Sequence, residues 1–302
     1  MPELPDLETY LAALEARTLG TRLGEIRLTS PFLLRSVRPP LKAARRRRVV
    51  GLRRLGKRLV FDLEQRLFLV LHLMVAGRLG WKPPGATPPK RSGLAAFDFD
   101  QGTLILTEAS SKKRASLHLV EGLEALARHD PGGVEPLQVG LGEFQAVLER
   151  KRHTLKRSLT DPHLFAGIGN AYSDEILHRA RLSPFKLSDS LSTEESERLY
   201  LATRTTLQEW MERLQAEVGN GFPEKVTAFR PEMAVHGQYG RPCPECEAPV
   251  QRILYAETEA NYCARCQTEG RILADRVLSR LLKKDWPKSL DELEQLNNRS
   301  LL

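Results

Sequence analysis

LFAGIGNAYSDEILHRARLSPF, residues 164–185, places two glycines, Gly167 and Gly169, around a tight turn that ends in Asn170, where a helical pattern begins. A glycine-rich turn that opens a helix presents unsatisfied backbone N–H groups, and those groups can hold a phosphate. The same residues also serve as a plain tight connection between helices. What surrounds the turn therefore decides how it is read.

Toward the C-terminus all four cysteines of the chain lie together, CPEC at 243–246 and CARC at 263–266, sixteen residues apart. Each C-x-x-C turn sets two thiolates on one side of an ion, and two such turns make a tetrahedral four-thiolate site with metal–sulfur distances of about 2.3 Å. In a cytosolic chain this spacing reads as Zn2+ held by Cys243, Cys246, Cys263 and Cys266, not as disulfides. Four thiolates leave no open coordination position, so the ion is structural, and a metallohydrolase that uses it is disfavoured. Between the pairs, VQRILYAETEANY alternates as a short hairpin.

Toward the N-terminus the pattern changes from helix to strand. Leu7, Tyr10, Leu11 and Leu14 repeat at helical spacing over 6–18. RRVVGLRRLGKRLVFDL, RLFLVLHLMVAGRLGW and LAAFDFDQGTLILTEA then read as successive strands with Gly56, Gly77 and Gln101-Gly102 at turns. DPGG near 131 marks a domain boundary. Beyond it GEFQAVLERK is an amphipathic helix, and a long helix starts at a capping box made by Ser192 and Glu195. GNGFPEKVTAFRPE reads as a loop, and the tail after 267 as one or two short helices.

The chain has 302 residues and a net charge of +8. Eleven Lys or Arg, and no acid, fall between Arg35 and Arg58. A solvated face mixes signs, so a run of like charge this dense points to a polyanionic partner. The longest apolar run, Leu67 to Ala76, is interrupted by His72 and is too short to span a bilayer. The acidic, proline-rich start is unlike a signal peptide. The expectation is a cytosolic protein with no membrane contact.

Together these residues resemble the Fpg/Nei family of DNA glycosylases. The likeness lies in MPELPDLE at the start, GKRLV around Lys57, TLKRSLTD with FAGIGNAYSDEIL, and the four-cysteine ribbon, so it covers about residues 1–267. The resemblance implies an α+β multi-domain protein. A catalytic domain, an N-terminal helix plus β-sandwich, would span 1–125. A helix–two-turn–helix domain would follow at 126–235, then a zinc finger at 236–267 and a helical extension at 268–302, with DNA in the cleft between the domains. It implies a monomer acting on damaged double-stranded DNA, with single-stranded DNA left open.

It also implies roles. Met1 is removed and the Pro2 amine becomes the nucleophile. Glu3 is its acid/base partner, Asp6 belongs to the same catalytic terminus, and Lys57 assists from a β-turn. Lys156, Asn170 and the preceding Gly169 grip phosphate, while Lys112, Lys113 and Arg114 reach into the duplex. An α-amine titrates near pH 7.7–8.0, far below lysine, which makes it a nucleophile at neutral pH.

Departures from the family pattern cluster at lesion reading. Asp6 stands for the usual Glu. Thr258, flanked by Glu257 and Glu259, stands for the Arg at the hairpin tip. Met74 comes one position early, with Val75 in its slot. EASSKKRAS lacks the aromatic, and the loop that covers 8-oxoguanine in the bacterial branch is not recognisable in GNGFPEKVTAFRPE. A scaffold that binds damaged DNA without catalysis is the competing reading.

Overall fold

A computed structural model describes residues 1–255, 258–274, 278–283 and 286–299. The chain divides into two compact units, one of Met1–Gly133 with Gln208–Ala228, the other of Val134–Leu207 with Phe229–Leu302.

The first unit opens with helix α1 (Leu4–Thr18) and continues through eight strands: β1 (Leu23–Leu28), β2 (Val49–Leu55), β3 (Arg58–Leu63), β4 (Leu67–His72), β5 (Gly77–Lys82), β6 (Gly93–Phe99), β7 (Gly102–Glu108) and β8 (Ser116–Glu121). The short helix α2 (Leu123–Ala127) follows. The strands form two antiparallel four-stranded sheets, β1-β6-β7-β5 and β2-β3-β4-β8. This is the helix-headed β-sandwich expected from the sequence.

Strand alternation sets the core. Leu59, Phe61, Leu63, Leu69, Leu71, Leu117 and Leu119 from one sheet join Leu79, Phe97, Leu104 and Leu106 from the other, with Leu7, Tyr10 and Leu14 of α1. The alternate residues of the second sheet, Val60, Phe68, Val70 and Val120, pack on Leu126 of α2. Both faces of this sheet are therefore covered. That is why RLVFDL and RLFLVLH run almost continuously apolar instead of alternating.

The second unit holds α3 (Leu141–Glu149), α4 (Leu155–Thr160), α5 (Asn170–Arg179) and the start of the long α6 (Thr193–Val218). The Ser192–Glu195 capping box is formed. The Glu195 amide donates to the Ser192 hydroxyl at 3.2 Å, and the Ser192 amide donates to the Glu195 carboxylate at 2.9 Å. A hairpin of β9 (Val250–Tyr255) and β10 (Thr258–Cys263) leads into α7 (Ala264–Thr268). The tail forms α8 (Leu278–Leu282) and α9 (Leu290–Arg299).

Tyr10 is fully buried between α1 and the sandwich, and its hydroxyl accepts the Leu79 amide of β5 at 3.3 Å. Tyr10→Phe leaves that amide without its partner. We expect a loss of about 1–2 kcal/mol in urea unfolding, with the denaturant slope unchanged. A midpoint that does not move would show that this bond carries no net stability.

Candidate active site and metal centre

Helix α1 begins almost at the chain end, and a reciprocal pair of side chains makes that possible. The Glu3 amide donates to Asp6 Oδ2 at 3.0 Å, while the Glu3 carboxylate accepts the Asp6 amide. Two amides that no helix turn could satisfy are thus used, and Pro5 adds no further donor because it has no N–H. Asp6 closes the box despite being one methylene shorter than Glu. Pro2, Glu3 and Asp6 are all buried.

The Met1 amine sits at this buried end among Glu3, Asp6, Arg78 and Lys57. Its pKa lies below the ordinary 8.0, first because burial penalises the charged form; Arg78 and Lys57 add to that shift, while Glu3 and Asp6 oppose it. Lys57 follows Gly56 in the β2–β3 turn. Gly56 has φ +60°, and a Cβ there would also press on the Pro131 ring at 3.3 Å. Arg54 braces the turn: its guanidinium bonds Glu8 of α1 at 2.8 Å and the Gly56 carbonyl at 2.9 Å. Lys57 is thereby fixed relative to the helix that follows Pro2.

Three residues of this rim were not picked out by the sequence reading. His72 ends β4 opposite Arg58 of β3. Burial, then Arg58 and Lys57, lower its pKa to about 4, so it is neutral at working pH. Arg78 of β5 bonds the backbone carbonyls of Val226, Val75 and Gly77 and lies near the terminal amine. Glu108 ends β7 fully buried, and its carboxylate accepts the amides of Arg114 (3.0 Å) and Ala115 (3.1 Å). In sequence the only signals were a polar residue closing an apolar strand and an acid beside a cationic loop.

Glu108 folds the loop that carries the three expected wedge residues. Lys113 turns back and donates to the Glu108 carbonyl, whereas Lys112 and Arg114 are exposed. In the loop before β5, Met74 takes φ +53° and Val75 is 58% exposed. Gly77 closes this loop, because a Cβ there would lie 2.2 Å from the Leu73 carbonyl oxygen. The exposed apolar tip is therefore Val75.

In the second unit, Gly167 takes φ +81° and Gly169 caps α5, with Asn170 as its first residue. Lys156 of α4 reaches this corner. Its Nζ donates to the Asn170 carbonyl and to Asp174 Oδ1, both at 2.6 Å. Asp174 is buried and also accepts from His236 Nδ1 at 2.8 Å and Asn261 Nδ2 at 3.3 Å. Next to it, buried Glu175 accepts the amides of Ala234, Val235 and His236. Burial pushes the Glu175 carboxyl up, while those three donors hold it down. Two adjacent carboxylates of α5 thus organise the entry to the cysteine ribbon and one strand of its hairpin.

The four cysteine sulfurs lie within 4.8 Å of one another, with Cys246–Cys263 at 3.4 Å and Cys243–Cys266 at 3.9 Å. A tetrahedral ion about 2.3 Å from each sulfur would space the sulfurs by about 3.8 Å. The residues present can hold a metal ion. His178, in the last turn of α5, places Nε2 3.2 Å from Cys243 Sγ, and with a thiolate as acceptor Nε2–H is the donor. On the hairpin, Arg252 lies over the Tyr239 ring at 4.6 Å and faces Glu259 at 3.9 Å. Glu257 and the Thr258 side chain lie outside the described residues.

Comparison with known proteins places this architecture. Residues 1–113 match the formamidopyrimidine-DNA glycosylase N-terminal domain, and residues 133–219 match the formamidopyrimidine-DNA glycosylase H2TH domain. The formamidopyrimidine-DNA glycosylase of Heliobacterium modesticaldum is 34% identical over 281 residues, 88% of this chain and 100% of that protein. The Thermus thermophilus enzyme of the same name is 35% identical over 286 residues, 89% and 100% of the two chains. Among solved structures, MutM in complex with DNA containing carbocyclic 8-oxo-G has a TM-score of 0.78 at 26% identity, covering 88% of this chain and 100% of that one. Lactococcus lactis Fpg in complex with abasic-site DNA gives 0.78 at 26%, covering 88% and 99%. The chain belongs to the Fpg/Nei family of DNA glycosylases.

His178→Phe removes the hydrogen bond to Cys243 while keeping an aromatic ring at the site. We expect the bound ion to be lost to a chelator roughly ten- to a hundredfold faster. Equal release rates would reduce His178 to a packing residue.

Proposed function

We propose that this DNA glycosylase of base excision repair is bifunctional, removing a damaged base and cleaving the strand through the Pro2 amine after Met1 is removed. The observation that carries this is the setting of the chain end: Pro2, Glu3 and Asp6 are buried and capped, and the Met1 amine beside them is lowered in pKa by burial, with Glu3, Asp6, Lys57 and Arg78 close enough to act on it. A disordered tail needs none of this.

The neutral amine attacks C1′ of the damaged nucleoside. The glycosidic bond breaks, the base departs with a proton, and an iminium joins Pro2 to the opened sugar. Glu3 delivers the proton that the ring oxygen needs as it opens. The iminium acidifies the C2′ proton, and its loss expels the 3′-phosphate by β-elimination; δ-elimination of the 5′-phosphate can follow. Water then frees the enzyme. Lys57 steadies a phosphate beside the lesion. Asp6 acts through the capping box that fixes Glu3. Lys156 and Asn170, at the glycine turn closed by Gly169, hold the backbone elsewhere on the duplex, where contacts position without reading sequence. Extruding the target nucleotide costs a few kcal/mol, and Val75 with Lys112 and Arg114 fills the space it leaves.

The cysteine cluster holds one zinc ion as structure, since four thiolates exclude a reacting ligand. The substrate is a duplex bearing an oxidised or ring-opened base. The names of the relatives and the 8-oxo-G and abasic DNA in the neighbouring structures support that class.

Borohydride added to the protein on abasic duplex should give a covalent adduct that Pro2→Gly abolishes or sharply reduces. An adduct that survives Pro2→Gly but disappears in Lys57→Ala would move the nucleophile. No adduct from a protein that binds tightly and has lost Met1 would leave a damage-binding scaffold without chemistry. A second measurement uses the pKa. Pro2 is itself buried, and the burial that lowers the Met1 amine favours a neutral amine there too once Met1 is removed, so the single-turnover trapping rate should rise with pH and level off with an inflection below the ordinary α-amine value of about 8.0. An inflection at or above 8.0 would show that burial does not prime the amine.

A further inference from the structure

The basic run from Arg35 to Arg58 is split by the fold. Lys57 and Arg58 lie at the turn end of the β2–β3 hairpin, beside His72 and the chain terminus. Arg45, Arg46 and Arg48 precede β2 at its other end, with Val49 paired to Leu63. Six strand steps of about 3.3 Å put roughly 20 Å between the two ends.

Other arginines converge on that far end. Arg22 bridges Arg48, and the Leu23 backbone pairs with Arg46 and Arg47. Arg66 sits at the β3–β4 turn, two residues after Glu64, whose amide bonds the Arg48 carbonyl. Arg22, Arg45, Arg46, Arg48 and Arg66 are all exposed. Glu64 pairs with Arg48 at 3.5 Å. Arg45, Arg46 and Arg66 have no acidic partner among the described residues.

The backbone at this end is unusual as well. Arg46 has φ +61°, Gln65 φ +64° and Arg66 φ +58°. Left-handed turn positions favour Gly or Asn, and here two of the three residues that join β3 to β4 are Gln65 and Arg66. Two left-handed positions where glycine would relieve strain are thus held by arginine, and both arginines point charge at the same end of the sandwich.

We propose that this end of the first unit is a second DNA surface, which contacts the phosphate backbone of a duplex other than the one at the catalytic rim. The proposal rests on the DNA-glycosylase reading above. Lys57 and the patch close opposite ends of the β2–β3 hairpin, so a duplex seated across the turn end leaves the patch uncovered. A second segment can reach it, and unpaired guanidinium groups match its phosphates in charge and geometry. Such a surface lets the protein pass directly from one segment to another without first entering solution.

The test follows dissociation of the full-length, Met1-trimmed protein from a labelled duplex bearing a tetrahydrofuran abasic analogue, as unlabelled undamaged duplex is added. With a second surface, the dissociation rate of the native protein rises several-fold as competitor increases, and the rise shrinks with salt. Arg45→Ala, Arg46→Gly and Arg66→Gly combined should give a rate independent of competitor, with the same intercept. Because glycine suits both left-handed positions, this variant should melt no lower than the native protein. Its borohydride trapping on abasic DNA should stay native, so lost transfer is distinguishable from a failed lyase reading, which would show as no trapping in the native protein. A triple lysine variant keeps the charge and should keep the slope. A native rate that ignores competitor, an unchanged slope in the Ala/Gly variant, or a lost slope in the lysine variant would each overturn the proposal.

Discussion

The reciprocal hydrogen bonds between Glu3 and Asp6 are the constraint on which the first unit depends. A chain end ordinarily frays, because its first amides have no partners and its ordering is not offset by burial. Here the N-cap residue and the third helical residue satisfy each other. The helix can therefore start at Leu4, and Leu7, Tyr10 and Leu14 bury against the sandwich at once. Burial of the helix buries the terminus, and burial of the terminus lowers the pKa of its amine. Local capping, packing and reactivity form one causal sequence with little slack. Arg54 extends it to Lys57, by joining Glu8 of α1 to the turn that presents the lysine.

The second unit repeats the logic with different parts. Asp174 and Glu175 are adjacent on α5 and face different partners. Asp174 gathers Lys156, His236 and Asn261; Glu175 gathers three successive amides at 234–236. Isolated buried carboxylates would be strongly unfavourable, but with cations and amides around them they specify one arrangement. One turn further along, His178 touches Cys243. A single ten-residue helix thus begins at the glycine turn and ends at the four-cysteine cluster, fixing both.

Legibility in the sequence followed periodicity and spacing. The four cysteines, the α1 stripe, the Ser192–Glu195 box and the hairpin strands rest on local rules, and each has its counterpart in the structure. What escaped notice depends on which residues tertiary structure brings together. His72 looked like an interruption in an apolar run, yet the β3–β4 register sets it against Arg58. Glu108 stands in sequence only as an acid at a strand end, yet it is fully buried under the loop it organises. Asp174 and Glu175 stand in the helical stretch after the glycine turn with nothing in the local sequence to mark them. No local pattern separates a solvated acid from one that collects partners sixty residues away. The basic run was visible as charge, but only strand direction could divide it between two ends of a domain.

That division of labour also explains where this chain tolerates departure from its family. The loop at 109–115 takes its shape from Glu108, whose carboxylate binds the amides of Arg114 and Ala115 and leaves the side chains of Lys112 and Arg114 outside the frame. The loop at 73–77 takes its shape from Gly77, which no side chain could replace beneath the Leu73 carbonyl, and Val75 is free to project from it. In each case the frame is fixed by one residue and the exposed surface is carried by another. The N-terminus has no such separation, since the residues that shape it are those that surround the amine. Substitutions can therefore accumulate at the exposed loop positions without disturbing the fold, while a change at Glu3 or Asp6 disturbs both the start of α1 and the surroundings of the amine.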